Sequence, residues 1–459
     1  MKVAISILSS MFLIGNVQNT KVNPIPIENT FPINWTATIG NTTYRTDVAH
    51  LNGKLIIGSN GENYGDYYLD KGNGVYVINP SNGKIEKNFL NESFGDMDVN
   101  GVLAFNSKLY VGNDNDEFIC TDIKGKIIYR LPTSGDIEHS PILVKNGRKN
   151  TIVYATESGE VTSVNPETGK KIWTYFHKDF KGWKPGDNRF IFQVKTTYIE
   201  SGSLFFGKPG IADLNKDGVN DLVYYTNRNE TIAINGKTGA KLWNHFNEKN
   251  SNVRTSFRKS PIVTGRGENI RIIKNAYSYN DDSPNRLMIY DRKGNYIKSV
   301  SYNRNIGYLG LNTLSTSSQL IIPLSNGVAV YDKNTKEVDF ITGFNNMYPS
   351  SYGPSFSAST SLHGDALIAN KVIDYQGERS IVILHQSDYK TDSHAAISII
   401  GLKSKKRLEF LHLPSSSEFK PLIKDFNKDG TLDLLVNCRD GKLYCFDLKI
   451  PTSNLSINQ

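Results

Sequence analysis

The sequence predicts an all-β protein, a single ring of eight blades in which each blade is a four-stranded antiparallel sheet. Three observations predict this β-propeller. A strand–turn–strand unit recurs eight times along the 459 residues. Two further strand-like segments precede each unit, which makes four strands every ~45–60 residues. Finally, one strand-like segment near the N-terminus has no blade of its own.

The repeated unit consists of an apolar strand, a turn resembling Asn/Asp-x-x-Thr/Asn-Gly-Lys, and a second strand. The glycine of the turn supplies the positive φ that a tight hairpin requires. Trp173 and Trp243 follow the turn in two units, and we expect them to pack on the neighbouring blade rather than to bind a ligand. The eight units begin at Val75, Phe118, Val161, Thr231, Leu287, Val328, Ile397 and Leu443.

The eighth unit lacks its final strand, and the N-terminal segment INWTAT, which contains Trp35, is the candidate to replace it. INWTAT resembles the KIWTYF and KLWNHF strands of two other units. An N-terminal strand that completes the last blade closes the ring and leaves no free edge. We therefore predict one propeller over residues 31–450, preceded by a leader over residues 20–30 and followed by a tail over residues 451–459.

The N-terminus favours export. Met1 and Lys2 precede a 13-residue apolar segment over residues 3–15, which is typical of a secretory signal and too short for a membrane span. We assign the signal to residues 1–19, and a buried first strand is the alternative. No later segment approaches a span of 18 apolar residues. The expected location is the periplasm, the outer membrane as an associated protein, or the cell surface or exterior after secretion.

Charge and cysteine content exclude some classes of function. The formal charge is +8 with no dense run of Lys and Arg, which argues against nucleic-acid binding. Three cysteines do not define a disulfide framework, and whether Cys438 and Cys445 pair is left open. The eight histidines occur singly, without an HxH or HxxxH pair, and no Gly-x-Ser-x-Gly motif is present.

Two nearly identical nine-residue loops run straight into strands. Positions 1, 3, 5 and 9 are Asp or Asn and position 6 is Gly, the oxygen-rich pattern that Ca²⁺ prefers, with the carbonyl of position 7 as a further ligand. Tyr224 and Val436 stand where a helical EF-hand has its glutamate, so we expect two structural Ca²⁺ sites between strands. The expected ligands are Asp213, Asn215, Asp217, Val219 and Asp221 in the first loop, and Asp425, Asn427, Asp429, Thr431 and Asp433 in the second.

The loops resemble the aspartate-rich loops of integrin-type propeller repeats. The N/D-x-x-T-G-K-x-x-W units resemble the repeats of pyrroloquinoline-quinone (PQQ)-type propellers, a group that includes quinoprotein dehydrogenases and the scaffold lipoprotein of bacterial outer-membrane assembly. The resemblance covers almost the whole mature chain. It implies the fold more strongly than an activity, because the motif residues are structural in that family. The scaffold resemblance implies β-rich protein partners from the outer membrane or a secretion system.

Enzymes with this fold are the main alternatives to a scaffold. The resemblance to quinoprotein dehydrogenases implies a calcium-ligating Glu/Asn/Asp set, a catalytic Asp and often adjacent cysteines, and this chain has no adjacent cysteines. Polysaccharide lyases of similar architecture need a base beside a metal-bound uronate, and the single histidines do not indicate one. Carbohydrate binding or adhesion also stays open. We expect a non-catalytic, calcium-stabilised scaffold of the bacterial envelope without an organic cofactor.

One face of the ring is the expected binding face. Second-to-third-strand loops and blade-to-blade connections open on one face, opposite the calcium loops, and the long insertions over residues 60–73, 177–207, 276–285 and 386–395 are all of this kind. Aromatic candidates for partner binding are Tyr67, Tyr68, Trp183 and Phe190. Basic candidates at the rim are Arg45, His139, Lys208, Lys259, His363 and Lys420, which favour an acidic peptide, glycan or lipid headgroup. The alternative is that these lysines only keep the surface soluble.

Overall fold

Strands dominate the chain, and the structure, a computed structural model, describes 13 segments of it. These are residues 31–62, 71–91, 97–147, 149–180, 204–226, 230–246, 253–254, 260–278, 285–302, 312–324, 327–341, 366–386 and 395–455. Within these segments there is no α-helix, and the strands form eight antiparallel sheets. The predicted eight-bladed propeller of four-stranded blades is therefore confirmed.

Blades 1 to 7 take their four main strands in chain order from the inner to the outer edge, and blade 8 does so for its first three strands. Blade 1 contains β2 (Ala49–Leu51), β3 (Lys54–Asn60), β4 (Asn73–Ile78) and β5 (Ile85–Phe89). Blade 2 contains β6 (Gly101–Phe105), β7 (Lys108–Asn113), β8 (Glu117–Asp122) and β9 (Ile127–Pro132). Blade 3 contains β10 (Ile142–Val144), β11 (Thr151–Ala155), β12 (Glu160–Val164) and β13 (Lys171–Phe176). Blade 4 contains β14 (Gly210–Ala212), β15 (Asp221–Tyr225), β16 (Glu230–Ile234) and β17 (Lys241–Phe246).

The second half of the ring repeats this plan, with one extra short strand, β18 (Val253–Arg254), paired to β20. Blade 5 contains β19 (Ile262–Thr264), β20 (Arg271–Ser278), β21 (Asn285–Asp291) and β22 (Tyr296–Tyr302). Blade 6 contains β23 (Leu314–Ser315), β24 (Gln319–Leu324), β25 (Gly327–Asp332) and β26 (Val338–Ile341). Blade 7 contains β27 (Ala366–Tyr375), β28 (Glu378–Gln386), β29 (Ala395–Gly401) and β30 (Arg407–His412). Blade 8 contains β31 (Leu422–Lys424), β32 (Thr431–Asn437) and β33 (Lys442–Pro451).

The N-terminal strand β1 (Ile33–Thr38) is the fourth strand of blade 8, as predicted. It pairs antiparallel with β33, with Trp35 opposite Cys445. Side chains secure the same junction, because Asn34 Nδ2 donates to Asp433 Oδ1 at 2.8 Å and Thr42 Oγ1 donates to Asn437 Oδ1 at 2.9 Å. The first and last strands of the propeller thus share one sheet.

Eight apolar clusters lie in the eight seams between blades, one in each seam of the described chain. The seam between blades 7 and 8 holds the largest cluster, and the seam between blades 4 and 5 holds the smallest, with five fully buried members. Successive blades therefore support one another through side chains rather than through shared strands. Each blade therefore buries part of its apolar surface against both of its neighbours.

In five seams an aromatic side chain on the outer strand of one blade lies on the turn glycine of the next blade, including Phe89 of blade 1 on Gly125 of blade 2. A Cβ placed on Gly239 would lie 2.6 Å from the Trp173 ring, and Trp173 Nε1 donates to the Gly236 carbonyl at 3.2 Å. Trp243 contacts Gly294 in the same way. The two tryptophans are inter-blade packing anchors, as the repeat predicts. Tyr129 and Trp35 occupy the matching position in blades 2 and 8.

Charged residues replace the aromatic anchor in blades 5 to 7. At the matching position of the outer strand, Lys298 Nζ donates to the Lys336 carbonyl at 3.0 Å. Asp339 forms an ion pair with Lys405 at 2.7 Å, and it lines a cleft of about 230 Å³ between blades 6 and 7. Blades 8 and 1 to 4 thus place an aromatic ring on the turn of the next blade, whereas blades 5 and 6 make charged contacts there.

All three cysteines are buried and free. Cys438 and Cys445 therefore do not form a disulfide in this structure, although they lie on either side of the hairpin that joins β32 to β33. The C-terminal residues assigned to a tail are partly structured. Strand β33 extends to Pro451, a short 3₁₀ turn covers Thr452–Asn454, and Leu455 bridges to Ile373 of blade 7.

Candidate functional site

The first calcium-type loop connects β14 to β15, the first and second strands of blade 4, as predicted. Its carboxylates accept hydrogen bonds from the loop backbone. Asp213 Oδ2 accepts from the Gly218 N–H at 3.0 Å, and Asp217 Oδ1 accepts from the Val219 N–H at 2.9 Å. Asn215 Nδ2 donates to Asp217 Oδ2 at 3.2 Å. The positive φ of 82° at Gly218 makes the turn possible.

The second calcium-type loop connects β31 to β32 in blade 8 and repeats this geometry. Asp425 Oδ2 accepts from the Gly430 N–H at 3.1 Å, and Asp429 Oδ1 accepts from the Thr431 N–H at 2.8 Å. Asn427 Nδ2 donates to Asp429 Oδ2 at 2.7 Å. The other oxygen of Asp425, Oδ1, is buried without a hydrogen-bond partner. An acceptor in this situation is suited to a cation.

The ninth residue of each loop is a buried aspartate. Asp221 Oδ2 accepts from the Leu214 N–H at 2.8 Å, and Asp433 Oδ2 accepts from the Phe426 N–H at 2.7 Å. Burial raises the pKa of both carboxyls to about 6, although these backbone donors act in the opposite direction. In the described residues no three His, Cys, Asp or Glu side chains converge in the manner of a metal site. Both loops therefore carry the side chains of a calcium-binding pattern, and in this structure their carboxylates accept hydrogen bonds from the loop backbone.

The channel mouth is formed by the segments that enter the inner strands: residues 41–48, 97–100, 133–141, 204–209 and 413–421. Of the residues predicted for partner binding, Arg45, His139, Lys208 and Lys420 lie in these segments. The candidates Lys259, His363, Tyr67, Tyr68, Trp183 and Phe190 lie outside the described residues. The long insertions do join second to third strands or one blade to the next, as predicted.

The cations of the mouth are paired with carboxylates from other blades. Arg45 pairs with Glu138, which precedes blade 3. Asp47, which precedes blade 1, pairs with Lys208 and lies 3.9 Å from Lys420. Burial alone would raise the pKa of Asp47, but the two ammonium groups outweigh it and hold this pKa well below its usual range. The rim is thus a set of ion pairs and not the purely basic ring that the sequence suggested.

Two contacts, Asp47 with Lys208 and Arg45 with Phe206, cross the mouth. Asp47 and Arg45 precede blade 1, whereas Lys208 and Phe206 precede blade 4, three blades further around the ring. The Arg45 guanidinium lies over the Phe206 ring at 4.4 Å, which is within cation–π range. Side chains of the chain itself therefore cover part of the central channel at this end.

His139 does not contribute charge to the rim, which corrects its assignment as a basic rim residue. Its side chain is 1% exposed, and Nδ1 donates to the Ser140 carbonyl at 2.9 Å. Burial lowers the pKa of this imidazole to about 4, and the Ser140 carbonyl only partly opposes that effect. His139 is therefore neutral near pH 7 and acts as a packing residue beside Tyr224.

Sequence reasoning missed the acidic and amide partners at the mouth. Asn100 donates to Glu138 Oε2 at 3.1 Å and accepts from Asn60 and Thr43, which joins the entries to blades 1, 2 and 3. The available signal was local, because Asp47 lies two residues after Arg45 and Glu138 lies immediately before His139. Their pairing across blades had no counterpart in the linear sequence.

A second missed feature is a buried His–Glu pair between blades 3 and 4. His177 Nε2 donates to Glu230 Oε2 at 2.8 Å, while His177 Nδ1 accepts from the Asp179 N–H at 3.1 Å. Asn244 Nδ2 donates to the other carboxylate oxygen of Glu230 at 2.6 Å. Each polar atom of the pair has a partner, so the pair ties the start of the blade 3–4 connection to blade 4.

Comparison with known proteins follows the repeat architecture. A PQQ-type family profile described as "Outer membrane protein assembly factor BamB" matches residues 71–182, from the third strand of blade 1 to just beyond the last strand of blade 3. The chain is a PQQ-like β-propeller. No curated protein matches it in sequence. The described part of this PQQ-like propeller contains no helix with the length and apolarity of a membrane span.

Solved propellers align with nearly the whole chain. BamB from Moraxella catarrhalis is 12% identical, with 91% of this chain and 100% of that chain covered and a TM-score of 0.54. Sqt1 from Saccharomyces cerevisiae is 8% identical, covers 92% and 97%, and has a TM-score of 0.53. A europium-containing methanol dehydrogenase is 11% identical, covers 91% and 93%, and also reaches 0.53. At these identities the likeness shows the fold alone.

Proposed function

We propose that this PQQ-like propeller is a non-catalytic scaffold of the bacterial envelope that binds a partner protein through the channel mouth. The match of residues 71–182 to the profile of an outer-membrane protein assembly factor carries the proposal. The export-type N-terminus agrees with a periplasmic or outer-membrane-associated location. Because the fold also supports a methanol dehydrogenase, the site and not the fold must decide between binding and catalysis.

The chemistry of the mouth favours binding. Its charged side chains neutralise one another through Arg45–Glu138 and Lys208–Asp47, and its buried histidine is neutral. Lys420 lies 3.9 Å from Asp47, so this ion pair is a long one. A partner carboxylate that binds Lys420 replaces this contact with a new ion pair. Rearranged ion pairs of this type contribute more to specificity and association rate than to affinity.

We further propose that each calcium-type loop holds one structural Ca²⁺. Side-chain oxygens of Asp213, Asn215 and Asp217, the Val219 carbonyl and Asp221 supply the first site. The second site uses Asp425, Asn427, Asp429, the Thr431 carbonyl and Asp433, and the partnerless Oδ1 of Asp425 supports this assignment. When bound, the ion neutralises the negative charge of the carboxylates that lie close together in each loop. The ion has a structural role, because both loops lie on the face of the ring opposite the channel mouth.

The experiment for the scaffold proposal is affinity capture from the native envelope with two matched double variants. Lys208 and Lys420 precede β14 and β31 at the mouth, whereas Lys216 and Lys428 follow the same two strands on the opposite face. We expect Lys208→Glu with Lys420→Glu to abolish capture of a specific envelope protein, because the mouth loses both of its lysines and gains two carboxylates. Lys216→Glu with Lys428→Glu should retain it.

Mass spectrometry of the captured proteins distinguishes the outcomes. Loss of the partner only in the Lys216/Lys428 variant contradicts binding at the mouth. Capture of glycan instead of protein by the native chain favours the carbohydrate-binding alternative. Calcium- or quinone-dependent turnover of an alcohol or uronate substrate by the purified protein contradicts the non-catalytic assignment.

A further inference from the structure

The turn face of the ring, which lies opposite the channel mouth and carries the third-to-fourth-strand turns, presents exposed isoleucines in blades 1 to 3. In each of these turns a glycine is followed by one or two lysines and then by isoleucine, at residues 83–85, 125–127 and 169–172. The isoleucines stand at the start of the outermost strands β5, β9 and β13. Nine large apolar side chains of the described residues are exposed, and four of them lie at these three places: Ile85 (37%), Ile127 (41%), Ile128 (43%) and Ile172 (51%). Exposed apolar side chains are therefore concentrated on one arc of the ring.

The same three turns, together with the strand residues directly after them, carry an excess of exposed lysines. Five of these lysines form no ion pair within the described residues: Lys84, Lys87, Lys124, Lys126 and Lys170. The acidic residues of the turns are already engaged. Glu86 and Glu167 pair with lysines of the first-to-second-strand hairpins, and Asp122 accepts two backbone N–H bonds. The five lysines and the four isoleucines are called the basic arc, which the fold assembles from separate turns although the sequence contains no dense run of lysines.

Blade 5 has the exposed apolar residues without the same excess of charge. Its outer strand starts with Tyr296 and Ile297, which are 55% and 44% exposed. One cation of its turn is neutralised, because Arg292 donates to both carboxylate oxygens of Glu268 at 3.1 Å. Asn295 stands where the turn of blade 2 has Lys126. Single exposed apolar side chains are ordinary on a protein surface, whereas adjacent blades 1 to 3 combine them with several unpaired lysines along one edge of the disc.

We propose that the basic arc is a peripheral membrane-binding surface that docks the turn face on a bilayer containing anionic lipid. The lysine ammonium groups attract the lipid phosphates, and the isoleucines beside them enter the boundary between headgroups and acyl chains. The arc spreads over the turns of three successive blades on one face, so it suits an extended and flat anionic surface.

This orientation directs the channel mouth away from the bilayer, because the mouth and the turns lie on opposite faces of the ring. A bound membrane therefore leaves the mouth open to the surrounding solution. The inference does not rest on a protein partner at the mouth, and it is tested with lipid alone, so either proposal can fail without the other.

Co-sedimentation with lipid vesicles tests the proposal. We expect the purified protein to bind vesicles of phosphatidylethanolamine with phosphatidylglycerol and not vesicles of phosphatidylcholine, and added salt should weaken the binding. Lys124→Glu with Lys126→Glu should lower the partition coefficient at least about tenfold, because each lysine near an anionic surface contributes severalfold. Ile127→Ser with Ile128→Ser should also weaken binding, since it removes the apolar part of the contact.

Matched variants on the same face control for net charge and apolarity. Lys293→Glu with Lys403→Glu reverses two exposed turn lysines of blades 5 and 7, and Tyr296→Ser with Ile297→Ser changes the blade 5 residues that correspond to Ile127 and Ile128. Both should bind vesicles like the native protein, and unchanged melting temperatures show that all four variants fold. Equal loss of binding in the control variants and the basic-arc variants overturns the proposal. Binding of the native protein to polyglutamate but not to vesicles also overturns it, since that result assigns the surface to an acidic protein.

Discussion

Buried histidines illustrate how single residues make this fold sensitive to acid. His139 and His385 are 1% and 2% exposed, and burial lowers the pKa of each imidazole to about 4. An unfolded histidine has a pKa near 6.5. Between these values the unfolded chain binds protons that the folded chain does not, so the free energy of unfolding falls as the pH is lowered through this window.

We predict that the free energy of unfolding decreases as the pH is lowered from about 6.5 to about 4, by roughly 1.4 kcal/mol per histidine and pH unit at most. His139→Gln and His385→Gln should each make this dependence shallower, because the variant side chain does not titrate. Urea denaturation at a series of pH values measures the slope. Slopes identical to that of the native protein in both variants contradict the assignment of neutral, buried imidazoles.

The charged residues of the mouth show the limit of sequence reasoning at this scale. Their positions before inner strands follow from the repeat, so Arg45, Lys208 and Lys420 were correctly placed at one end of the ring. Their partners Asp47 and Glu138 belong to other blades, and the chain contains no local signal for contacts between distant segments. Net charge along the sequence therefore overstated how basic this rim is.

At the scale of strands and turns, the two kinds of inter-blade contact differ in energy. Trp173 is half-buried and fills the space above Gly239, whereas the Asp339–Lys405 pair is largely exposed to solvent. We predict that Trp173→Ala lowers the free energy of unfolding by roughly 2–4 kcal/mol through lost packing. Asp339→Ala should change it by less than about 1 kcal/mol. Urea denaturation of both variants tests this, and a larger effect of Asp339→Ala contradicts it.

The calcium-type loops make a second prediction at this scale. Excess chelator should lower the melting temperature of metal-loaded protein, because a ligand that binds only the folded state contributes about 2.7 kcal/mol at a hundredfold excess over its Kd. Asp217→Ala and Asp429→Ala should each remove part of the response. Asp122→Ala is the matched control, since Asp122 caps a turn through the Lys124 and Lys126 N–H groups outside the calcium pattern. An unchanged melting curve after chelation contradicts structural calcium.

Strands and turns were the most predictable level of this protein. Each of the eight repeat units contains the third strand of a blade, because the apolar strand, turn glycine and following strand are all contiguous in sequence. The spacing of the aspartates placed both calcium-type loops between first and second strands. The charged contacts of Lys298 and Asp339 were not predicted, since they replace an aromatic anchor by pairing with residues of the following blade.

At the scale of the whole molecule, the ring depends on its N-terminal strand. We predict that removal of residues 31–40 leaves blade 8 with three strands and an open edge, so the protein aggregates or melts at a much lower temperature. The deletion also removes Trp35 from its contact with Gly83 and Asn34 from its bond to Asp433. Size-exclusion chromatography and thermal unfolding measure both effects. A monomeric deletion variant with the native melting temperature contradicts closure by this strand.

The same junction connects ring closure to the second calcium-type loop. Asp433 is the ninth residue of that loop and accepts a hydrogen bond from Asn34 of the closing strand. The sequence predicted the strand and the loop separately, each from its own local pattern. Their contact joins residues 399 positions apart, and only the closed ring reveals it.

The most direct test of the proposed scaffold function is site-specific photo-crosslinking in the native envelope. A photoreactive amino acid is placed in turn at four positions. Lys208 and Lys420 lie at the mouth, before β14 and β31, whereas Lys216 and Lys428 lie after these two strands, on the opposite face. Binding through the mouth predicts that the first two positions crosslink to one specific envelope protein while the last two do not. Crosslinks to that protein only from Lys216 and Lys428, or to no protein from any of the four positions, contradict it.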